Sequence, residues 1–402
     1  MKSTEIRLVG QQTLMVARRL PRPGAWECWV EPVACTLCGS DLNTVAGHKD
    51  IGNRVNVRLG HELVGRVLEI GPGTHGLAQG DLVVLKPHQW VSGHDTLCPN
   101  ASDPLTFRCQ GRGCTTHAGF RWDGSFCTVG LFPVGQLVKI PQAFVPQGIL
   151  GLPPAAVFSM VEPLACVRSA SLLRQQVLAA AGVREVDGSV ANSLILGAGP
   201  IGTLAGAVLL EEGCAEVVMK DDLAQRADIA VWALDTPRAR RFGTRDRRRR
   251  FPLVIVTANS LGAILEAEHQ VEPGGVIYLL SGLNPEGRLV QDRSGLYYYE
   301  DVHRRGEYLS AMGNEVHRTI AGHSGYAEQL FDDSIRWAAE HSATLNRMIT
   351  HVIPSIDSPE AISRFPEVVR SWTTPDASPA VLTALRRAVP RDRVGMKTVL
   401  LP

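Results

Sequence analysis

The stretch Asn192-Ser-Leu-Ile-Leu-Gly-Ala-Gly-Pro-Ile-Gly-Thr-Leu-Ala-Gly-Ala-Val-Leu-Leu210 decides the fold. An apolar strand runs into Gly197, Gly199 and Gly202, and an apolar helix leaves them, which is the context a G-x-G-x-x-G pattern needs before it carries meaning. The glycines permit a tight turn at Pro200 and Ile201. They also let a pyrophosphate approach the backbone at the helix N-terminus, where free N–H groups and the helix dipole favour anions. Ala215 to Met219 reads as the next strand, and Asp221 stands at its end, 24 residues beyond Gly197. An acidic side chain there accepts hydrogen bonds from the adenosine ribose of NAD and repels the extra phosphate of NADP. Asp222 can do the same. The expectation is a doubly wound parallel sheet that takes a dinucleotide, with NAD favoured over NADP.

A second stretch, from Cys35-Thr-Leu-Cys-Gly-Ser-Asp41 to Gly60-His-Glu62, is where the reacting atom is expected. Cys38 and His61 offer a thiolate and a neutral imidazole, two of the ligand types zinc favours. A catalytic zinc takes three protein ligands and leaves the fourth position for water or substrate. The third is sought far away in sequence, at Glu162 in Met-Val-Glu-Pro-Leu-Ala. Glu62, next to His61, is a supporting group or an alternate ligand.

Taken in order, Cys-Gly-Ser-Asp at 38–41, Gly-His-Glu at 60–62 and Glu-Pro-Leu-Ala at 162–165 resemble the zinc-dependent medium-chain dehydrogenases, specifically the branch of polyol and threonine dehydrogenases. The resemblance implies a catalytic zinc on Cys38, His61 and Glu162, with Ser40 passing on the proton of the alcohol. It implies a GroES-like β-rich catalytic domain over residues 1–163, a Rossmann domain over 164–318 and a return to the catalytic domain over 319–402. Many relatives carry a His five residues after the zinc Cys as proton acceptor. Asn43 stands there, cannot act as a base, and leaves His48 as the possible substitute. Glu272-Pro-Gly-Gly resembles the strand whose end, here Ser281 and Gly282, approaches the nicotinamide. The implied reaction is hydride transfer between NAD(P) and a small alcohol or ketone of polyol, amino alcohol or cyclitol type, in a homodimer or homotetramer. Two other readings compete: a zinc-free quinone or enoyl reductase of the same fold, against which the ligand triple argues, and a cofactor-binding protein without catalysis.

Composition agrees with a globular enzyme. The chain has 402 residues, 45% hydrophobic and 20% charged, with a formal charge of +1, which gives no general argument for nucleic-acid or membrane binding. No apolar run of 18 residues and no signal-like start is evident, so a soluble, cytoplasmic protein is expected. Nine cysteines, an odd number without a signal peptide, argue for reduced thiols and metal ligation over a disulfide framework.

Short β-type runs fill the region up to Ile140, at Trp26–Ala34, Leu63–Ile70, Leu82–Leu85, Phe126–Leu131 and Leu137–Ile140. Two segments depart from the family pattern. Cys98, Cys109 and Cys114, with His94 and His117 nearby, lack the spacing of a usual structural zinc clip, and a metal-free loop is favoured. Pro237 to Arg250 holds eight arginines in fourteen residues. A solvated loop is favoured for it over an anion patch or a nucleic-acid contact, because arginine outnumbers lysine 35 to 6 throughout.

Overall fold

A computed structural model describes residues 1–9, 12–45, 56–90, 115–120, 122–146, 152–183, 190–282, 290–292, 295–297, 302–303, 308–313, 316–353, 355 and 396–401. The chain divides into two compact units. The first holds Met1–Cys98, Cys109–Glu162 and Phe331–Pro402, and the second holds Pro99–Arg108 and Pro163–Leu330.

The first unit begins with β1 (Lys2–Val9), β2 (Gln12–Arg19), β3 (Glu27–Thr36), helix α1 (Gly39–Val45), β4 (Asn56–Arg58), β5 (Glu62–Ile70) and β6 (Leu82–Leu85). It continues with β7 (His88–Trp90), β8 (Thr115–His117), β9 (Gly130–Pro133) and β10 (Leu137–Lys139). Strands β2-β1-β4 form one sheet, and β10-β6-β5-β3 form most of another. Alternate residues of these strands point to one face. Val30, Leu63, Val67, Val83 and Leu85 thereby meet Ile6, Leu8 and Phe126 in one buried cluster. The run expected as a strand from Phe126 is a strand only from Gly130.

The second unit carries helix α2 (Val161–Ala180), in whose first turn the division between units falls, and then β11 (Asn192–Leu196), α3 (Pro200–Glu211), β12 (Glu216–Lys220), α4 (Ala224–Leu234) and β13 (Ala239–Arg241). After these come β14 (Phe251–Val256), α5 (Leu261–Gln270), β15 (Val271–Leu279), β16 (Val290–Asp292), β17 (Gly295–Tyr297), β18 (Tyr308–Gly313) and β19 (Val316–Gly322). Their seven-stranded sheet runs β13-β12-β11-β14-β15-β19-β18. All neighbours are parallel except β18, which pairs antiparallel to β19. The strand order reverses between β11 and β14, the switch point at whose carboxyl edge doubly wound sheets bind ligands. Strand β19 is the sixth parallel strand, so the second unit extends beyond the expected boundary at 318 to Leu330.

The chain then returns through α6 (Leu330–Glu340), α7 (Ser342–Met348), β20 (Ile349–Ile353) and β21 (Lys397–Leu400). Strand β21 pairs antiparallel with β3 and parallel with β20, and so joins the sheet that carries β5.

The arginine run is solvated as expected, with Arg238, Arg241, Arg245, Arg247, Arg248 and Arg250 exposed, but it is regular structure rather than a loop. It supplies β13 and a 3-10 turn at Thr244–Arg248. Arg240 pairs with Glu216 at 2.6 Å and with the buried Asp246 at 2.7 Å, Arg249 also reaches Glu216, and Arg241 pairs with Asp228 at 3.0 Å. Three carboxylates, Glu216, Asp228 and Asp246, thereby pair with Arg240, Arg241 and Arg249, which the composition of the run alone concealed. The segment Pro154–Ala180 is long and apolar enough to cross a membrane by length and composition, yet 78% of its most apolar window is buried within the protein. That is the condition of a core helix.

Candidate metal centre and dinucleotide site

Cys38 precedes α1, and its carbonyl accepts the N–H of Asp41 at 3.1 Å. The Asp41 carboxylate closes this turn by accepting the Cys38 N–H at 3.0 Å, and its other oxygen meets His61 Nδ1 at 3.2 Å. One buried carboxylate therefore orients both candidate ligands and leaves His61 Nε2 for a metal, the arrangement expected of a ligating imidazole. His61 is held by Gly60, whose φ of +90° favours glycine. A side chain at Gly60 would also collide with the Phe126 ring and Ser125 Oγ.

Ser40 Oγ lies 3.3 Å from Cys38 Sγ and 3.3 Å from His61 Nε2. Burial alone opposes a charge on His61, but the Asp41 carboxylate and the Cys38 sulfur outweigh it and push its pKa well above the usual imidazole value. A metal must displace that proton, so loading is coupled to proton release.

Among the described residues, one group of ligand atoms lies together. Cys38, His61 and Glu62 have a sulfur, a nitrogen and an oxygen all within 4.8 Å of one another. This donor set fits zinc. The expected third ligand, Glu162, is buried in the first turn of α2 but outside that group. Glu62 is wholly buried and accepts Thr36 Oγ1. It also binds the Lys397 ammonium through both oxygens, at 2.9 and 2.6 Å. Lys397 loses solvation by burial, yet Glu62, Cys38 and Glu162 together raise its pKa. Sequence reasoning missed Lys397, whose only signal was its place in the closing strand.

It also missed the proximity of His117 to His61. Their rings are 5.4 Å apart and edge-on, and Phe120 lies 5.2 Å from His61 and 4.5 Å from His117. His48, Cys98, Cys109, Cys114 and His94 lie outside the described residues. Asn43 is half-buried in α1.

In the second unit, Gly197 follows β11 with φ +102°, and Gly199 caps α3 with Pro200 in its first turn. A side chain at Gly202 would collide with the Gly197 carbonyl, so the helix can pack this closely on the turn only with glycine there. Asp221 follows β12; its carboxylate accepts the Ala198 N–H at 2.8 Å and the Leu223 N–H at 3.0 Å. Ser281 and Gly282 lie just past the end of β15. The parallel strands bring Gly197–Gly202, Asp221 and Ser281–Gly282 to the same carboxyl edge of the sheet.

Residues 24–142 match the alcohol dehydrogenase GroES-like domain. The chain is 28% identical over 213 residues to an L-threonine 3-dehydrogenase of Pyrococcus horikoshii, a match covering 52% of this chain and 53% of that protein. It is 31% identical over 198 residues to a D-xylulose reductase of Scheffersomyces stipitis, covering 46% of each. The chain thus spans about half the length of the curated relatives it matches. A Sinorhizobium meliloti protein described as a zinc-binding dehydrogenase, bound to NADP, has the same fold, with a TM-score of 0.69 at 20% identity over 100% of both chains. The fold is a GroES-like β-rich unit with a Rossmann unit. In its GroES-like residues 24–142, and over about half its length, the chain is thus similar to alcohol dehydrogenases of the polyol and threonine type.

Proposed function

We propose that this protein is a zinc-dependent oxidoreductase that moves hydride between a small secondary alcohol and a nicotinamide cofactor, NAD in preference to NADP. The observation that carries the reading is the meeting of the Cys38 sulfur and the His61 imidazole beside Ser40, with the Glu62 carboxylate within 4.8 Å of both ligand atoms. Zinc bound there supplies a Lewis acid that lowers the pKa of an alcohol hydroxyl. Cys38 and His61 are two of its ligands, oriented by Asp41. Two carboxylates compete for the third position. Lys397 already neutralises both oxygens of Glu62, which favours Glu162, the residue of the Glu-Pro-Leu-Ala motif. Ser40 accepts the hydrogen bond of the alcohol and passes its proton outward. Asn43 cannot receive that proton as a base, so the proton leaves to water.

Two features support NAD. The Asp221 carboxylate stands at the end of β12, where a ribose phosphate would meet like charge. Arg240 and Arg249 are spent on Glu216 and Asp246, and Arg241 on Asp228, so these arginines do not form a phosphate clamp.

The test is a panel of alcohols assayed with NAD and NADP on protein of measured zinc content, together with NADH titration. Zinc with NADH-linked alcohol oxidation is the expected result. NADPH-dependent reduction of carbon–carbon double bonds by zinc-free protein would replace this reading with a zinc-free reductase. Protein that binds neither zinc nor nucleotide would replace it with a non-catalytic role.

A further inference from the structure

The eight arginines between Pro237 and Arg250 stand on a fixed backbone. Asp246 closes the 3-10 turn Thr244–Arg248. Its carboxylate accepts the Gly243 N–H at 2.8 Å and both terminal nitrogens of Arg240 at 2.7 Å, and its carbonyl accepts the Arg249 N–H at 3.0 Å. Arg240, Arg241 and Arg249 are taken up by Glu216, Asp228 and Asp246. The other five, Arg238, Arg245, Arg247, Arg248 and Arg250, are exposed and make no ion pair among the described residues. Arg238 and Arg250 reach only backbone carbonyls, of Cys214 at 3.4 Å and of Arg249 at 3.3 Å, and Arg245 acts on Asp246 only through its field. Part of the run thus orders the turn, and the rest is presented to solvent without a neutralising carboxylate.

This surface lies away from the dinucleotide site. Arg238 and Arg249 sit at Cys214 and Glu216, where β12 begins, and Arg250 directly precedes β14. These are amino ends of parallel strands, opposite the carboxyl edge that holds Gly197–Gly202 and Asp221. The whole chain carries a formal charge of only +1, so the local excess is not the by-product of a generally basic protein. Trp232, 59% exposed, lies one helical turn beyond Asp228 on α4, the same stripe of the helix from which Asp228 binds Arg241. Guanidinium forks match phosphate oxygens two at a time. An exposed indole offers a face on which an unpaired base stacks. A duplex, whose bases are already stacked, would use only the arginines.

We propose that the arginine turn and Trp232 form a binding surface for single-stranded nucleic acid. The free guanidinium groups take successive backbone phosphates, and the indole stacks on a base.

The test is fluorescence anisotropy of the full chain with a labelled oligouridylate of about fifteen nucleotides, near the upper end of single-strand site sizes. The expected log Kd rises with log salt with a slope of about 3 to 4, for about five neutralised phosphates. Arg247→Gln/Arg248→Gln/Arg250→Gln weakens binding at least about tenfold at low salt and lowers the slope by about 2. Its melting temperature and NADH affinity stay at parent values, because none of the three side chains is in an ion pair. Trp232→Ala weakens binding roughly tenfold with the slope unchanged. Parent protein that does not bind the oligonucleotide overturns the proposal, as does a triple variant that binds like the parent. Displacement of the oligonucleotide by NADH overturns it by moving the contact to the dinucleotide site. Equal competition by poly-L-glutamate of matched charge replaces it with an acidic protein partner, and binding to phosphatidylglycerol vesicles in place of the oligonucleotide replaces it with a membrane surface. A duplex of the same length bound as tightly, with Trp232→Ala silent, removes the single-strand preference and with it the role of Trp232.

Discussion

Replacing Lys397 by Met is the sharpest test of the charge balance around the metal ligands. Lys397 and Glu62 are 2% and 0% exposed and are bound at 2.6 Å. Met keeps most of the lysine stem and removes only the charge, so the packing of β21 against β3 is largely retained. Glu62 is then left as a buried carboxylate with Thr36 as its remaining partner. Removing one member of a buried pair costs about 3–5 kcal/mol. At about 2–4 °C per kcal/mol for a unit of this size, the metal-free variant melts roughly 10 °C below the parent. Zinc reverses the balance. A divalent ion at Cys38 and His61 sits beside Glu62 and supplies the missing positive charge, while in the parent it must bind next to an ammonium. The variant therefore gains more stability from zinc than the parent does. The assay is thermal melting of both proteins with chelator and with saturating zinc. An equal gap under the two conditions would refute the account, because it would mean that no cation binds near Glu62.

Further outcomes follow from the same geometry. Glu162→Gln weakens zinc binding by at least about tenfold, as read by competition with a chromophoric chelator, while Glu62→Gln lowers the melting temperature by orphaning Lys397; the reverse pattern would assign the third position to Glu62. Gly202→Ala drives a methyl into the Gly197 carbonyl, costs about 1–3 kcal/mol and abolishes NADH binding by fluorescence titration; retained affinity would remove the turn from the nucleotide site. The Arg240 guanidinium holds the Asp246 carboxyl below the usual carboxylate range, against the opposing effect of burial. Because the unfolded value is higher, near about 3.9, this contribution is complete above that pH and is lost as pH falls through the folded value. Asp246→Asn should thus flatten the acid limb of the stability profile, and an unchanged limb in denaturant titrations would contradict the assignment.

Much of this protein was legible before any coordinates, for reasons of local chemistry. Gly197, Gly199 and Gly202 sit between an apolar strand and an apolar helix because only glycine allows that turn and that close approach, so the doubly wound sheet follows from a few neighbouring residues. Cys38 and His61 offer two zinc-type donors by residue type within short motifs. The arginine run could not be read in this way, because its partners Glu216 and Asp228 lie outside it on β12 and α4, and composition does not encode distance. Lys397 lies 335 residues from Glu62 along the chain, and it meets that carboxylate only because β21 pairs with β3. His117 comes to His61 only because Arg58, Asp123, Gly119 and Gly124 hold its surroundings against Gly60. Periodicity and motif spacing act over a few residues and therefore determine elements, turns and ligand types. Strand pairing and buried charge act through space, and they alone decide which lysine, which carboxylate and which imidazole surround the reacting centre.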